Sequence, residues 1–598
     1  MPVRSQYDVA IIGAGVAGSS LALILANMGL EVLVVEKGKH PRFVIGESTV
    51  PSTSYGFEYL GTKYGIPEFQ AIYHYTGLKT AGLRGWPKQH FWFGYNEPGK
   101  PVRQDQECAL FTFFPPRGPD VHTLRADLDH YFVKAFPKYD VDYVEDTSVI
   151  DFEATPDAAY LTIQPKHGEQ SKIKAQYVVD ASGHQSFLAK KFGLRLEDPK
   201  MSTNTRSIFS HYTGVKYLDD FLEPNHEMGL IRDGGTMHHC FDGGWIWSIR
   251  FDDEVTSVGI TLDRDRWPLD ESITAEEEFQ QIIGRYPSVK AVLGEAKNIR
   301  PVIRTGRVHG GTDRIQFSCS SIVGDRFILA PHAAAFVDPL FSTGILLTSS
   351  FMSRFVPRAL EAKADGNWSQ ERFAPLGPIF FRELYQIDKL VGGMFKAWQH
   401  DHIVFAHYWR LWIYTGILMY LCRVSVPQED CEVGLYGAGV PTAEKLTDRM
   451  NAVVFDDALS ASDKAAQLKS IMEESWGPFP VDWPLTPDKT IVVKWRAGEG
   501  GVAQQQRQLL NWWRRTIIAS NPILQDKVEH SRFYKWFWET RRRAQEHNQK
   551  VETSRRENGE FHRAYDVFAA LAIGAVKGPL TGNPAFRWGA TQDAGQDK

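Results

Sequence analysis

Three stretches of the chain carry residues whose types and spacing could do chemistry. Gly13-Ala14-Gly15-Val16-Ala17-Gly18 has the GxGxxG spacing, in which glycines permit a tight turn, close approach to a pyrophosphate and close strand–helix packing. Trp245 and Trp247, in Gly244-Trp245-Ile246-Trp247-Ser248-Ile249-Arg250, would stand side by side on a strand as a bulky indole wall, either beside a reacting centre or inside an ordinary core. Ser342-Thr343-Gly344 can open a helix whose free backbone N–H groups would suit an anion; the plain alternative is an N-cap made by Ser342 or Thr343.

The elements that must position these residues are legible around them. Tyr7-Asp8-Val9-Ala10-Ile11-Ile12 is a β-branched apolar run suited to a buried parallel strand, and residues 19–28 read as a helix. A second strand over residues 30–35 ends on Glu36, at the spacing where an acid meets an adenosine ribose. Strand, turn, helix, strand and acid together predict a dinucleotide half-site, which NAD and FAD share. Period-two alternation puts Trp245, Trp247 and Ile249 on one face of their strand, with Ile246, Ser248 and Arg250 on the other, where Asp252 is a candidate partner for Arg250. Arg250 also supplies an N–H that lets strand pairing continue.

Further segments narrow the choice of cofactor. Pro41-Arg42-Phe43-Val44-Ile45-Gly46-Glu47-Ser48-Thr49, Thr76-Gly77-Leu78-Lys79, Arg125-Ala126-Asp127-Leu128-Asp129, Tyr177-Val178-Val179-Asp180-Ala181-Ser182-Gly183 and Ala335-Phe336-Val337-Asp338-Pro339-Leu340-Phe341-Ser342-Thr343-Gly344-Ile345 follow one another in this order. With the tryptophan strand they resemble the flavin-dependent halogenases, on the pyrrole and phenol side of that family, across residues 5–425. The resemblance implies FAD, used as FADH2 with O2 and chloride or bromide, held by Gly13, Gly15, Ala17, Gly18, Glu36, Lys37, Arg42, Ile45, Glu47, Ser48, Thr49, Arg125, Asp338, Pro339 and Ile345. It assigns the halide to the amides of Thr343 and Gly344, and makes Trp245 and Trp247 a wall that lets halide, not the organic substrate, be oxidised. It makes Lys79 the catalytic amine, in a dry tunnel where desolvation lowers its pKa so that it can hold hypohalous acid.

The same resemblance implies partners and a substrate class. Tryptophan halogenases carry Glu where this chain has Phe341, so the expected substrate is a self-activating ring, a phenol or pyrrole, free or tethered to a carrier protein. No second dinucleotide fingerprint is evident, so a separate NAD(P)H-dependent flavin reductase is expected to supply FADH2. Arg250 stands where the halogenase motif has Pro, and this departure supports the alternative, an aromatic hydroxylase or oxidase on a halogenase-like scaffold.

At 598 residues the chain exceeds one ordinary core. The expected architecture is α/β: an FAD-binding Rossmann-like core of the GR2-type monooxygenase/halogenase class over residues 1–365, and a mostly α-helical region over residues 366–598 covering the pocket. Lys+Arg of 67 against Asp+Glu of 72 is too balanced to suggest nucleic acid. Cys108, Cys240, Cys319, Cys422 and Cys431 are scattered without CxxC or metal-ligand spacing, and the N-terminus runs into the first strand without a signal peptide, so a cytoplasmic protein without a metal is expected. Residues 408–422 are apolar but interrupted by Arg410 and too short to span a membrane; they read as a buried helix whose aromatics could face the substrate. Basic, aromatic stretches at residues 511–515 and 533–538 read as core-covering helices, with a partner or RNA surface as the alternative, and residues 541–560 as a solvated helix.

Overall fold

The strand Gln6–Ile12 is buried from its second residue onward and lies parallel to both Val32–Val35 and Ser171–Asp180. In this computed structural model, residues 4–112, 119–223, 231–252, 254–305, 313–476, 491–493, 524 and 527 are described. The stretches at residues 511–515, 533–538 and 541–560 lie outside these. The first sheet runs Val323–Gly324, Phe327–Leu329, Ser171–Asp180, Gln6–Ile12, Val32–Val35, Asp142–Val144, with Thr147–Ala154 and Ala159–Pro165 paired alongside. The helix Val16–Asn27 follows the glycine turn directly and begins three residues earlier than the sequence pattern suggests. Gly18 explains the tight join, because a Cβ there would sit 2.0 Å from the Gly13 carbonyl oxygen.

A second sheet carries the tryptophans. Its order is Lys297–Asn298, Thr205–Thr213, Val255–Asp263, Gly244–Phe251, Thr236–Phe241, His90–Tyr95, Glu107–Phe111, Ile491–Val493, with Ile303–Arg304 beside Thr205–Thr213. Ile246, Val258, Ile260 and Leu262 point to one side and pack against Phe279, Ile282 and Val289 of the helices Ala275–Ile283 and Pro287–Leu293. Trp245, Trp247 and Ile249 point to the other side, into the core shared with the first sheet. The alternation read from the sequence is therefore the division between two hydrophobic cores. A small ribbon pairs Gly85–Lys88 antiparallel with Asp120–Thr123.

The chain then becomes helical, through Thr343–Asp365, Leu376–Trp398, His402–Ser425, Pro441–Val454 and Ala461–Trp476. These helices bury Phe355, Leu384, Trp398, Trp409 and Leu446 in the same core as the first sheet. His402–Ser425 contains the apolar segment and is buried on nearly every side, which is why it shows no polar face. No helix among the described residues is long and apolar enough to cross a membrane.

Candidate active site

The glycine turn builds one end of the site. Gly13 leads into the helix Val16–Asn27, whose N-terminus has no side-chain cap, so its first amides are available to an anion. Glu36 accepts hydrogen bonds from the amides of Ala14 and Gly38, both at 2.8 Å, and closes the turn from the second strand. Arg42 stands across from Gly15, where a Cβ would lie 3.4 Å from its Nη2, and its buried Nε has no hydrogen-bond partner among the described residues. A buried cationic N–H, an uncapped helix start and an acid at the end of the second strand fit the pyrophosphate and ribose of FAD. Ala17 flanks this cradle, half-buried, while Lys37 is exposed beside it.

The Glu47-Ser48-Thr49 segment is pinned from several sides. Arg125 forks onto Asp129 at 2.9 and 3.0 Å and donates to the carbonyls of Ile45 and Gly46 at 3.3 and 3.2 Å, so it holds the loop's backbone. Glu47 is buried with its carboxylate 3.2 Å from His211 Nε2. Ser48 lies 3.1 Å from the Thr236 hydroxyl, and Thr49 donates to the Val121 carbonyl at 2.9 Å.

The amine expected in a dry environment is not Lys79. Its side chain is 45% exposed on the short helix Tyr75–Thr80, and its Nζ pairs with Asp252 at 3.1 Å. Only nine residues further on, Lys88 is 0% exposed. Lys88 Nζ donates to Ser48 Oγ at 2.9 Å and to the Thr49 carbonyl at 2.8 Å, and sits 3.4 Å over the Phe91 ring. Burial pushes its pKa well down, opposed by the charge of Asp120, its direct cross-strand neighbour. The desolvation that the resemblance required of Lys79 is found at Lys88. A signal was present in the sequence, since Trp86-Pro87-Lys88-Gln89-His90-Phe91-Trp92-Phe93 buries a lysine among aromatics, but nothing local said which way it faced.

Between Lys88 and the tryptophans lies an aromatic wall. His238 stacks on Phe93 at 4.2 Å and on Trp245 at 5.3 Å, and Trp245 leans on Trp247 at 5.6 Å. Phe341 stacks on Trp412 at 4.5 Å, and Trp412 meets Phe91 edge-on at 5.1 Å. Trp412 comes from the buried helix His402–Ser425, which brings its aromatics to this wall. Burial holds His238 neutral, with its pKa near 3, and His122 well below the usual range.

Asp338 ties the wall to the next turn. It accepts from Thr205 Oγ1 at 2.9 Å and from the Leu340 amide at 3.0 Å, and burial raises its carboxyl to about 7 against these donors. After Pro339 the backbone turns through Phe341 and Ser342 at positive φ, 68° and 55°, and opens the helix Thr343–Asp365 without a side-chain cap. The simple N-cap reading therefore fails, and the Thr343 and Gly344 amides stand at an uncapped helix start. Gly344 is required by close approach, since a Cβ would lie 2.9 Å from His332 Nε2. Ile345 is buried one residue further on.

Arg250 pairs with Asp233 and not with Asp252. Its guanidinium pairs with Asp233 at 3.1 Å, donates to the carbonyls of Val215 and Lys216, and lies 4.0 Å over Tyr217, while Asp252 takes Lys79 instead. Strand pairing runs through Arg250↔Thr256 to Phe251↔Val255, as its N–H permits.

Residues 8–50 match the model of the FAD dependent oxidoreductase family, DAO. The chain is 32% identical over 424 residues to the monodechloroaminopyrrolnitrin halogenase PrnC of Pseudomonas fluorescens, covering 69% of this chain and 72% of that one. The chain belongs to the flavin-dependent halogenases. It is likewise 33% identical over 421 residues to the tetracycline 7-halogenase of Kitasatospora aureofaciens, covering 69% of this chain and 74% of that one. In three dimensions this halogenase is similar to the halogenase PltM, with a TM-score of 0.74 at 25% identity across 82% of this chain and 100% of that one.

Proposed function

We propose that this halogenase places chlorine or bromine on an electron-rich phenol or pyrrole, free or tethered to a carrier protein, with reduced FAD delivered by a separate NAD(P)H-dependent flavin reductase. One observation carries the reading: a water-excluded amine, Lys88, stands beside an aromatic wall in which position 341 is a stacked phenylalanine. Without a carboxylate at that position to orient or polarise the ring, the substrate must bring its own electron density, as a phenolate or pyrrole does. The names of the two relatives, a monodechloroaminopyrrolnitrin halogenase and a tetracycline 7-halogenase, support that class. The hydroxylase alternative loses its support, because Arg250 lies on the face away from the tryptophans and is satisfied by Asp233.

Gly13, Gly15, Ala17, Gly18, Glu36, Lys37, Arg42, Ile45, Glu47, Ser48, Thr49, Arg125, Asp338, Pro339 and Ile345 would hold the flavin. When bound, reduced FAD supplies with O2 the two-electron oxidation of halide to hypohalous acid. The Thr343 and Gly344 amides hold the halide at the uncapped helix start. Trp245 and Trp247 keep the organic ring apart from the flavin. Lys88, whose pKa burial lowers, holds hypohalous acid by a hydrogen bond, while Ser48 and the Thr49 carbonyl aim its nitrogen. The ring carbon then takes the halogen, and its proton leaves with the hydroxyl as water.

Purified enzyme, given FAD, a flavin reductase and a phenol and pyrrole panel with bromide, tests this. Lys88→Ala should cut halogenated product at least about 100-fold while FAD still binds, and Lys79→Ala should stay within a few-fold of the parent. Loss of product in Lys79→Ala with Lys88→Ala unaffected would overturn the assignment.

A further inference from the structure

Three site-bearing helices meet around one arginine that the halogenation chemistry does not use. They are Pro51–Tyr64 behind the Glu47-Ser48-Thr49 segment, Thr343–Asp365 opening at the halide turn, and His402–Ser425 carrying Trp412. Arg423, on the third, is 7% exposed. Its Nη1 reaches Ser350 Oγ at 3.4 Å, but Nε and Nη2 are buried without a hydrogen-bond partner. Those two nitrogens form the edge of a guanidinium that grips an anion with two parallel bonds. Elsewhere in this chain that edge is filled, by Asp129 on Arg125 and by Glu107 on Arg232.

Among the described residues no carboxylate fills it here. Glu383 pairs with Arg354 at 2.9 Å and also accepts from Ser350 and the Leu435 amide. Glu383 is thereby committed to Arg354, and Arg423 has no ion pair of its own among the described residues. Burial lowers the Arg423 pKa only to about 10, so it stays charged near neutrality. An uncompensated buried charge is costly, whereas one matched by an anion with directed hydrogen bonds is not. The helix facing it contributes Gly56, where a Cβ would lie 2.7 Å from Arg423 Nη2 and 2.6 Å from Ser349 Oγ. A side chain at position 56 would therefore crowd Nη2.

We propose that Arg423 binds a chloride or bromide ion, at a second halide site separate from the Thr343/Gly344 turn, and that this ion locks the three helices together. The site rests on no role given to Lys88 or to the halide turn. Bromide-soaked crystals of the whole enzyme, measured at the bromine absorption edge, should show an anomalous peak in contact with Arg423 Nε and Nη2. In solution, melting in chloride rather than gluconate at equal ionic strength should raise the Tm by about 2 °C. Arg423→Met removes the receptor, and Gly56→Ala leaves the arginine but obstructs its edge; each should abolish both the peak and the chloride response. Absence of bromide at Arg423 in the parent, or an unchanged chloride response in both variants, overturns the proposal.

Discussion

At the scale of single residues, what separates two lysines nine positions apart is water. Lys79 and Lys88 have the same chemistry, but one faces solvent and Asp252 while the other is enclosed by Ser48, Thr49 and Phe91. A motif could name the kind of residue the site needs, yet exposure belongs to the fold and not to the spacing. Asp338 poses the same contrast and gives a pH test. Its carboxyl keeps its proton up to about 7 in the fold, against an ordinary 3.8 in the unfolded chain. The native state thus binds the extra proton between those values, so stability falls as pH rises through that interval. In FAD-free protein, urea titrations from pH 4 to pH 8 should show the parent losing up to about 4 kcal/mol from this group, and Asp338→Asn should flatten that slope. Equal slopes in the two proteins would mean Asp338 ionises normally.

At the scale of elements, the tryptophan strand was legible because alternation in a sheet is a local rule. Both cores obey it, with Trp245 and Trp247 on one side and Ile246 on the other. The cross-strand fit was not legible. Trp247 pairs with Gly259 in register, and a Cβ on Gly259 would lie 2.1 Å from the indole. Gly259→Ala should displace Trp247, lower stability by about 2 kcal/mol, and open the wall. The informative measurement is coupling: NADH consumed per halogenated product should rise several-fold, and unchanged coupling would remove Trp247 from the barrier. Helix His402–Ser425 shows the reverse balance, since its apolar composition predicted burial but not that Trp412 would meet Phe341 and Phe91.

At the scale of the whole molecule, the C-terminal helices and the first sheet bury one continuous core, to which Trp398 contributes at full burial alongside Ile11 and Val34. Such a core should melt as a unit. Calorimetry should show one main transition for the described core, and Trp398→Ala should lower it as a whole, by about 3–5 kcal/mol of stability. A transition that leaves the dinucleotide sheet folded after the helices have melted would show two separable units. By itself the sequence determined the dinucleotide half-site, the facing of the tryptophan strand and the burial of residues 408–422, because strand alternation, the glycine turn and apolar composition act over neighbouring residues. Only the tertiary structure decided which lysine is dry, that Arg250 answers Asp233 instead of Asp252, and that Arg423 stands without a carboxylate, because desolvation and charge pairing are set by groups far apart in the chain that the fold brings together.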